Sequence, residues 1–205
     1  MQGINSKIKP IPSKLYAYQL LYEDIGNFKT KYDKFSITEF GCGGSKILNF
    51  FSPFFYQGID LNKEKILISQ KKYSDSNYKF YVGDMINFDT EIKTDLGLCF
   101  QTLGINLSFD KQNLLSCMEN LSNHVKQDGS ILFNISLKLY LTYKHELDEF
   151  FEKNFLNVEY VFYGLFNSRY NNLLTRALVR VEHLFSSKNY FKSFLYIRCI
   201  KKRHD

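Results

Sequence analysis

From Ser36 to Ser136 short apolar runs alternate with longer stretches of helical period, and this rhythm predicts strands and helices in turn. Strands are expected at Ser36–Phe40, Tyr56–Asp60, Tyr78–Val82, Asp95–Phe100 and Ser130–Ser136. Between them fall a short helix ending near Phe51, a lysine-rich helix over Lys63–Lys72, and a helix over Lys111–Val125. Asp128-Gly129 reads as a turn before the fifth strand. A helix over Tyr143–Asn154 and two last strands, Val158–Tyr163 and Phe194–Ile200, complete the series. Ahead of it, residues 1–13 are polar and carry Pro10 and Pro12, which suits a loose arm. Leu15, Tyr18, Leu21, Tyr22 and Ile25 then share one face of a helix that Ser13 is placed to cap.

Alternation of this kind predicts a mostly parallel sheet covered by helices on both faces. In such sheets ligands sit beyond the carboxyl ends of the strands, where the strand order reverses. The loops at those ends are therefore where chemistry is sought.

Composition narrows the picture only a little. The chain has 205 residues, with 44% hydrophobic and 23% charged, ordinary values for one globular domain. The net charge of +6 permits an anionic partner but is too small and spread for a nucleic-acid footprint. Cys42, Cys99, Cys117 and Cys199 are scattered, without a CxxC pair, so neither a disulfide framework nor a metal site is expected. The N-terminus lacks a signal core and no apolar run would span a bilayer, so a cytoplasmic protein is expected.

The strongest motif is Ile37-Thr38-Glu39-Phe40-Gly41-Cys42-Gly43-Gly44-Ser45, an apolar strand that enters an acid and then a glycine turn. Glycines there let the backbone turn tightly and approach a ligand. A dinucleotide fingerprint would need glycine where Lys46 stands, and a P-loop would need Gly-Lys-Ser/Thr at a longer spacing. Gly58-Ile59-Asp60 ends the second strand, Gly83-Asp84-Met85 ends the third, and Thr94 to Gln101, around the fourth strand, makes a fourth motif. In this order and spacing the four segments, over about residues 36–136, resemble the class I S-adenosylmethionine-dependent methyltransferases. Ser45 stands where that family commonly has a third glycine, and Cys42 stands where it often has a small residue.

The resemblance implies an α/β fold, Rossmann-like, with a mostly parallel seven-stranded sheet and helices on both faces. An N-terminal helical cap and a helical insertion before the last strand are expected with it. The chain then divides into an arm and cap (1–35), a cofactor-binding core (36–163), the insertion (164–190) and a last strand with a basic tail (191–205), all in one domain. S-adenosyl-L-methionine is the implied cofactor. Glu39, Gly41, Gly43, Asp60, Asp84, Met85 and Gln101 are the implied cofactor residues. Asp60 would meet the ribose hydroxyls, Asp84 the adenine amine, and the amide of Met85 a ring nitrogen.

No catalytic residue stands out, because methyl transfer from a sulfonium depends mainly on placement of the acceptor. His145, after the fifth strand, is a weak candidate base, with a plain helix residue the favoured reading. His124 reads as a surface or capping residue. The fourth motif is not the Asp/Asn-Pro-Pro-aromatic clamp of base-methylating enzymes, which disfavours a nucleic-acid acceptor. Gln101-Thr102-Leu103-Gly104 holds no acid, which argues against aminopropyl transfer. A small-molecule or glycan acceptor methylated at oxygen is the expectation; an RNA or protein methyltransferase, or a non-catalytic cofactor-binding module, is the alternative.

The insertion over Ser168–Ser186 carries an apolar stripe of helical period, with Arg176, Arg180 and His183 along a neighbouring face. A solvated basic face is the favoured reading there. Contact with a phosphate-bearing acceptor or an anionic membrane surface is the other.

Overall fold

A computed structural model describes residues 12–103, 109–163 and 194–202, with side chains for 17–103, 109–161 and 194–202. The insertion, residues 1–11 of the N-terminal arm and the last three residues lie outside the described residues; Pro12 and Ser13 already belong to the first helix, so Ser13 is not its cap. The elements run α1 (Pro12–Lys31), β1 (Ser36–Phe40), β2 (Phe55–Asp60), α2 (Lys63–Lys72), β3 (Tyr78–Val82) and β4 (Thr94–Leu103). They continue with α3 (Lys111–Asn123), β5 (Val125–Ser136), α4 (Leu137–Thr142), α5 (Lys144–Asn154), β6 (Phe155–Tyr163) and β7 (Phe194–Lys201).

The strands form one seven-stranded sheet in the order β3-β2-β1-β4-β5-β7-β6. Pairs from β3 across to β5 are parallel, and β7 runs antiparallel between β5 and β6. The order reverses between β1 and β4, so the crevice expected to take a ligand opens above the ends of β1, β2 and β4.

Strand alternation divides the interior into two cores. Ile37, Tyr56, Leu96, Leu98, Leu132 and Tyr196 face one way, and α1 meets them with Ala17, Leu20, Leu21 and Ile25. Phe40, Ile59, Cys99, Ile131, Phe133 and Ile197 face the other, covered by Leu114, Cys117, Met118 and Leu121 of α3 and by Leu147 and Phe151 of α5. Every residue of β1 is buried, as a central parallel strand requires.

Several elements exceed their expected bounds. The first helix continues past Ile25 to Lys31, because Phe28 packs its last turns against Tyr32 and Phe35. The Asp128-Gly129 turn lies within β5 as an irregularity, with Asp128 at φ 61°. Helix α4 was not foreseen; Ser136 caps it by accepting from the Leu139 amide at 3.2 Å. His124 is the C-cap of α3, as a capping reading requires, but is buried rather than at the surface.

At the opposite end of the strands from the crevice, Asp95 pins the starts of β1, β4 and β5. Its Oδ2 accepts from the Ser36 amide (2.8 Å) and hydroxyl (2.6 Å), and Oδ1 from Lys126 (2.7 Å). Burial raises the pKa of its carboxyl, but Lys126 and Ser36 together outweigh burial and leave it below the ordinary value. A depressed carboxyl stabilises the fold above its unfolded pKa, and that contribution is lost as pH falls through the folded value. Asp95→Asn should therefore cost about 1–2 kcal/mol at neutral pH, a modest figure because the group is part-exposed. In chemical denaturation the difference from wild type should shrink as pH falls below about 4, the range of an unfolded aspartate, and be lost once the folded carboxyl is protonated; a difference unchanged in acid would count against the ionic role.

Candidate functional site

The glycine turn after β1 is held by the end of β2. The Gly41 and Cys42 amides both donate to the Ile59 carbonyl, at 2.8 and 3.1 Å, and the Gly43 amide donates to Asp60 Oδ2 at 2.7 Å. Gly41, Gly43 and Ser45 have positive φ (70°, 54° and 49°), so the chain coils tightly before a four-residue 3-10 turn, Lys46–Asn49. Glycine is needed at position 41 for a second reason: a Cβ there would stand 2.4 Å from Thr102 Oγ1.

The loop forms one wall of a cleft of about 530 Å³, within the range of small-molecule sites. Glu39, Gly41, Gly43, Asp60, Met85 and Gln101, six of the seven expected residues, line it. Asp60 stands at the tip of β2, where its Oδ1 also accepts from the Asn62 amide (2.8 Å). Asn62 in turn caps α2 by accepting from the Lys65 amide. Asp84 stands just outside the cleft walls; its Oδ1 takes the Ile86 amide (2.9 Å), shaping the turn that delivers the buried Met85.

Another wall comes from an irregularity in β4. Gln101 has φ 58°, and its amide donates to the buried Asn134 Oδ1 of β5 at 2.6 Å. The parallel register with β5 shifts between Cys99 and Leu103, which turns Gln101 and Thr102 into the cleft. The same bulge places Thr102 against Gly41.

Glu39 is the electrostatic centre. Its carboxyl is buried and accepts from the Tyr56 hydroxyl at 2.5 Å. Burial raises its pKa to about 7, against the lowering effect of the Tyr56 bond, and the Asp60 charge adds to the rise. Tyr56 reaches it because Gly58, paired with Glu39 across the strands, has no side chain. A Cβ at Gly58 would lie 2.9 Å from both Tyr56 Oη and Cys42 Sγ. Burial pushes the Cys42 thiol well up, with Glu39 adding to it, so it stays protonated and suits the small-residue reading.

The cap helix supplies the remaining wall. Tyr18, Leu21 and Tyr22 line the cleft, and Tyr18 packs its ring 5.1 Å from Phe100. Burial, then Tyr18 and Glu39, push the Tyr22 phenol up to about 12, so it remains neutral. His145 is not brought to the cleft: on α5 its side chain is 82% exposed and pairs with Glu149. Tyr18, Tyr56, Lys65, Thr102 and Asn134 went unnoticed as site residues in the sequence. Only Tyr18 carried a signal, its place on the apolar face of the first helix.

No family model matches the chain, and no curated protein matches it. Solved structures do share its architecture. The N-methyltransferase NodS from Bradyrhizobium japonicum WM9, in complex with S-adenosyl-L-homocysteine, is 14% identical with a TM-score of 0.64, over 95% of this chain and 90% of that one. The plantazolicin methyltransferase BpumL, in complex with a triazolic desmethylPZN analog and S-adenosylhomocysteine, is 16% identical with a TM-score of 0.62, over 94% and 86%. The StiE O-MT is 12% identical with a TM-score of 0.61, over 93% and 74%. The chain thus has the Rossmann-like fold of class I S-adenosylmethionine-dependent methyltransferases.

The geometry separates two neighbouring glycines. Gly41→Ala should lower the stability of the ligand-free protein by roughly 2–4 kcal/mol, from left-handed strain plus the Thr102 collision. Gly44 has ordinary φ and nothing within 4 Å of an added Cβ. Gly44→Ala should therefore stay within about 0.5 kcal/mol of wild type in a denaturant melt. Equal costs would contradict the loop geometry.

Proposed function

We propose that this chain is a single-domain S-adenosylmethionine-dependent methyltransferase acting on a small-molecule or sugar acceptor at oxygen. The observation that carries the reading is the cleft at the strand-order reversal, walled by a glycine loop whose amides are taken up by β2 and by a buried carboxylate. A phosphate-binding loop needs those amides pointing at the ligand, with a helix N-terminus behind them. Here the Gly41, Cys42 and Gly43 amides are occupied internally and only a short 3-10 turn follows. That arrangement suits a cofactor without phosphates.

The residues fit S-adenosylmethionine part by part. Glu39 would face the cationic amino-acid end, and lone pairs of Asp60 beyond its two amide bonds would accept from ribose hydroxyls. Leu61 and the buried Met85 offer apolar contact for adenine, with Asp84 near its amine. Gly41, Gly43 and Gln101 would border the methionine chain. Bound there, the sulfonium supplies an activated methyl group. The chain's part is then to hold the acceptor in line and exclude water. Tyr18, Tyr22 and Phe100 provide an apolar wall for that purpose. Proteins of similar fold include the N-methyltransferase NodS and the StiE O-MT, so a test of the attacked atom must offer both. No helix among the described residues is long and apolar enough to cross a membrane.

Titration with S-adenosylhomocysteine should give micromolar binding, roughly −8 kcal/mol. Asp60→Ala should weaken it by about 1.5–3 kcal/mol, and Asp60→Asn by less, because an oxygen remains for one amide. NAD should not compete. Labelled methyl transfer to matched hydroxyl and amino versions of one acceptor would then read out the atom. Binding without transfer to any acceptor would favour a non-catalytic module, and no binding would end the proposal.

A further inference from the structure

Glu39 presents a specific physical problem. It is a carboxyl group 9% exposed on a cleft wall, and its hydrogen-bond partner is a neutral phenol. Among the described residues no lysine, arginine or histidine forms an ion pair with it. Buried charges are ordinarily paired, and an unpaired carboxyl takes up a proton instead. The groups around it reinforce this. Asp60 stands at the end of the same strand as Tyr56; Cys42 lies in the loop; Tyr18 and Tyr22 descend from α1; Cys99 sits on β4. All of these are acids or neutral groups. Lys46 and Lys65 line the same cleft as exposed residues.

We propose that cofactor binding is coupled to proton release from Glu39, and that Tyr56 is the positioning residue that holds this carboxylate ready for a cationic ligand group. The inference rests on the cofactor reading above. In the empty cleft Glu39 carries a proton over part of the neutral range. When an ammonium group enters beside it, the carboxylate form is favoured, and the proton passes to the buffer. The Tyr56 hydroxyl, donating at 2.5 Å, stabilises that carboxylate without adding a competing charge. The strand geometry exists to allow this contact: the tyrosine ring crosses above Gly58, at a distance no side chain there would tolerate.

With a folded pKa near 7, binding that requires the carboxylate weakens as pH falls. Affinity for S-adenosylhomocysteine, which keeps the ammonium, should drop about tenfold between pH 8 and pH 6. Calorimetry near pH 6 in two buffers of different ionisation enthalpy should show release of nearly one proton. 5′-Methylthioadenosine lacks the amino acid and should bind with no such slope. In Tyr56→Phe the carboxylate loses its donor, so the midpoint of the pH profile should move upward. The loss should be several-fold at neutral pH and shrink toward alkaline pH. A merely structural role would weaken binding by one factor at every pH. Glu39→Gln should bind more weakly with a flat profile, and serves if the tyrosine variant does not fold. Wild-type binding that is flat from pH 6 to 8, without proton release, would overturn the coupling while leaving the cofactor reading intact. A Tyr56→Phe midpoint that stays in place would overturn the role of the tyrosine. Absence of S-adenosylhomocysteine binding at every pH would overturn both.

Discussion

Three consecutive amides, those of Gly41, Cys42 and Gly43, are gripped by the last two residues of β2. Nearly everything else about the cleft depends on that grip. It folds the chain leaving β1 sideways over the neighbouring strand rather than upward into a long helix. It fixes Asp60 at the rim, because one of its oxygens is committed to the loop and the other to the Asn62 amide that starts α2. It also sets what the loop can recognise. A loop that spends its donors on its own sheet cannot offer them to phosphate, so selectivity must come from side chains at the strand ends. Those side chains are acids, one at the rim and one buried.

The buried acid explains the sequence of β2. Glu39 and Gly58 are paired across the strands, and Tyr56 lies two residues before Gly58 on the same face. The absent side chain at Gly58 is the space through which the tyrosine reaches the carboxyl. Had position 58 carried even a methyl group, Tyr56 and Cys42 would both have been displaced. A glycine inside a central strand normally weakens it, and here the close approach accounts for it.

Much of this was legible in the sequence, for physical reasons that differ by element. Strands β1 and β3 and helix α2 fall where the apolar runs and the polar turns between them placed them: β1 is buried along its whole length, whereas the edge strand β3 and the lysine-rich α2 are bounded by polar turn residues. The loop glycines Gly41 and Gly43 were legible because their left-handed backbone leaves few residue choices, and the acids at the strand ends because their order and spacing resemble a known family. Less visible was anything set by tertiary contact. The polar segment after Ile25 stays helical because Phe28 finds Phe35 and Tyr32, a pairing no local pattern reveals. Gln101 was foreseen as a site residue, but not that a bulge fixed by Asn134 from the next strand would aim it. Asp95 belongs to the same fourth motif, yet it serves the opposite end of the sheet as a clamp on Ser36 and Lys126. A ten-residue strand is long enough for its two ends to do unrelated work.

The cap helix ties the outer edge of the sheet to the cleft. Asp24 of α1 accepts from the Tyr196 hydroxyl and from Arg198 Nη1, each at 2.6 Å, and Arg198 also pairs with Glu159 on the adjacent strand. Tyr196 and Arg198 are two apart on β7 and therefore share the face that α1 covers. From Tyr196 the contact passes to Phe100 (6.4 Å between rings) and from Phe100 to Tyr18 (5.1 Å), so one connected set of side chains positions the helix and walls the cleft. The antiparallel strand β7 thus has a consequence beyond closing the sheet. By presenting a hydroxyl and a guanidinium to a single carboxylate, it fixes α1 over the sheet, so that Tyr18 and Tyr22 fall at the carboxyl ends of β1 and β4. Without that anchor the apolar stripe of α1 would still bury Ala17, Leu21 and Ile25, but burial alone is non-directional and would not set the helix's position along the sheet. The directional bonds at Asp24 supply what the hydrophobic contact leaves unspecified.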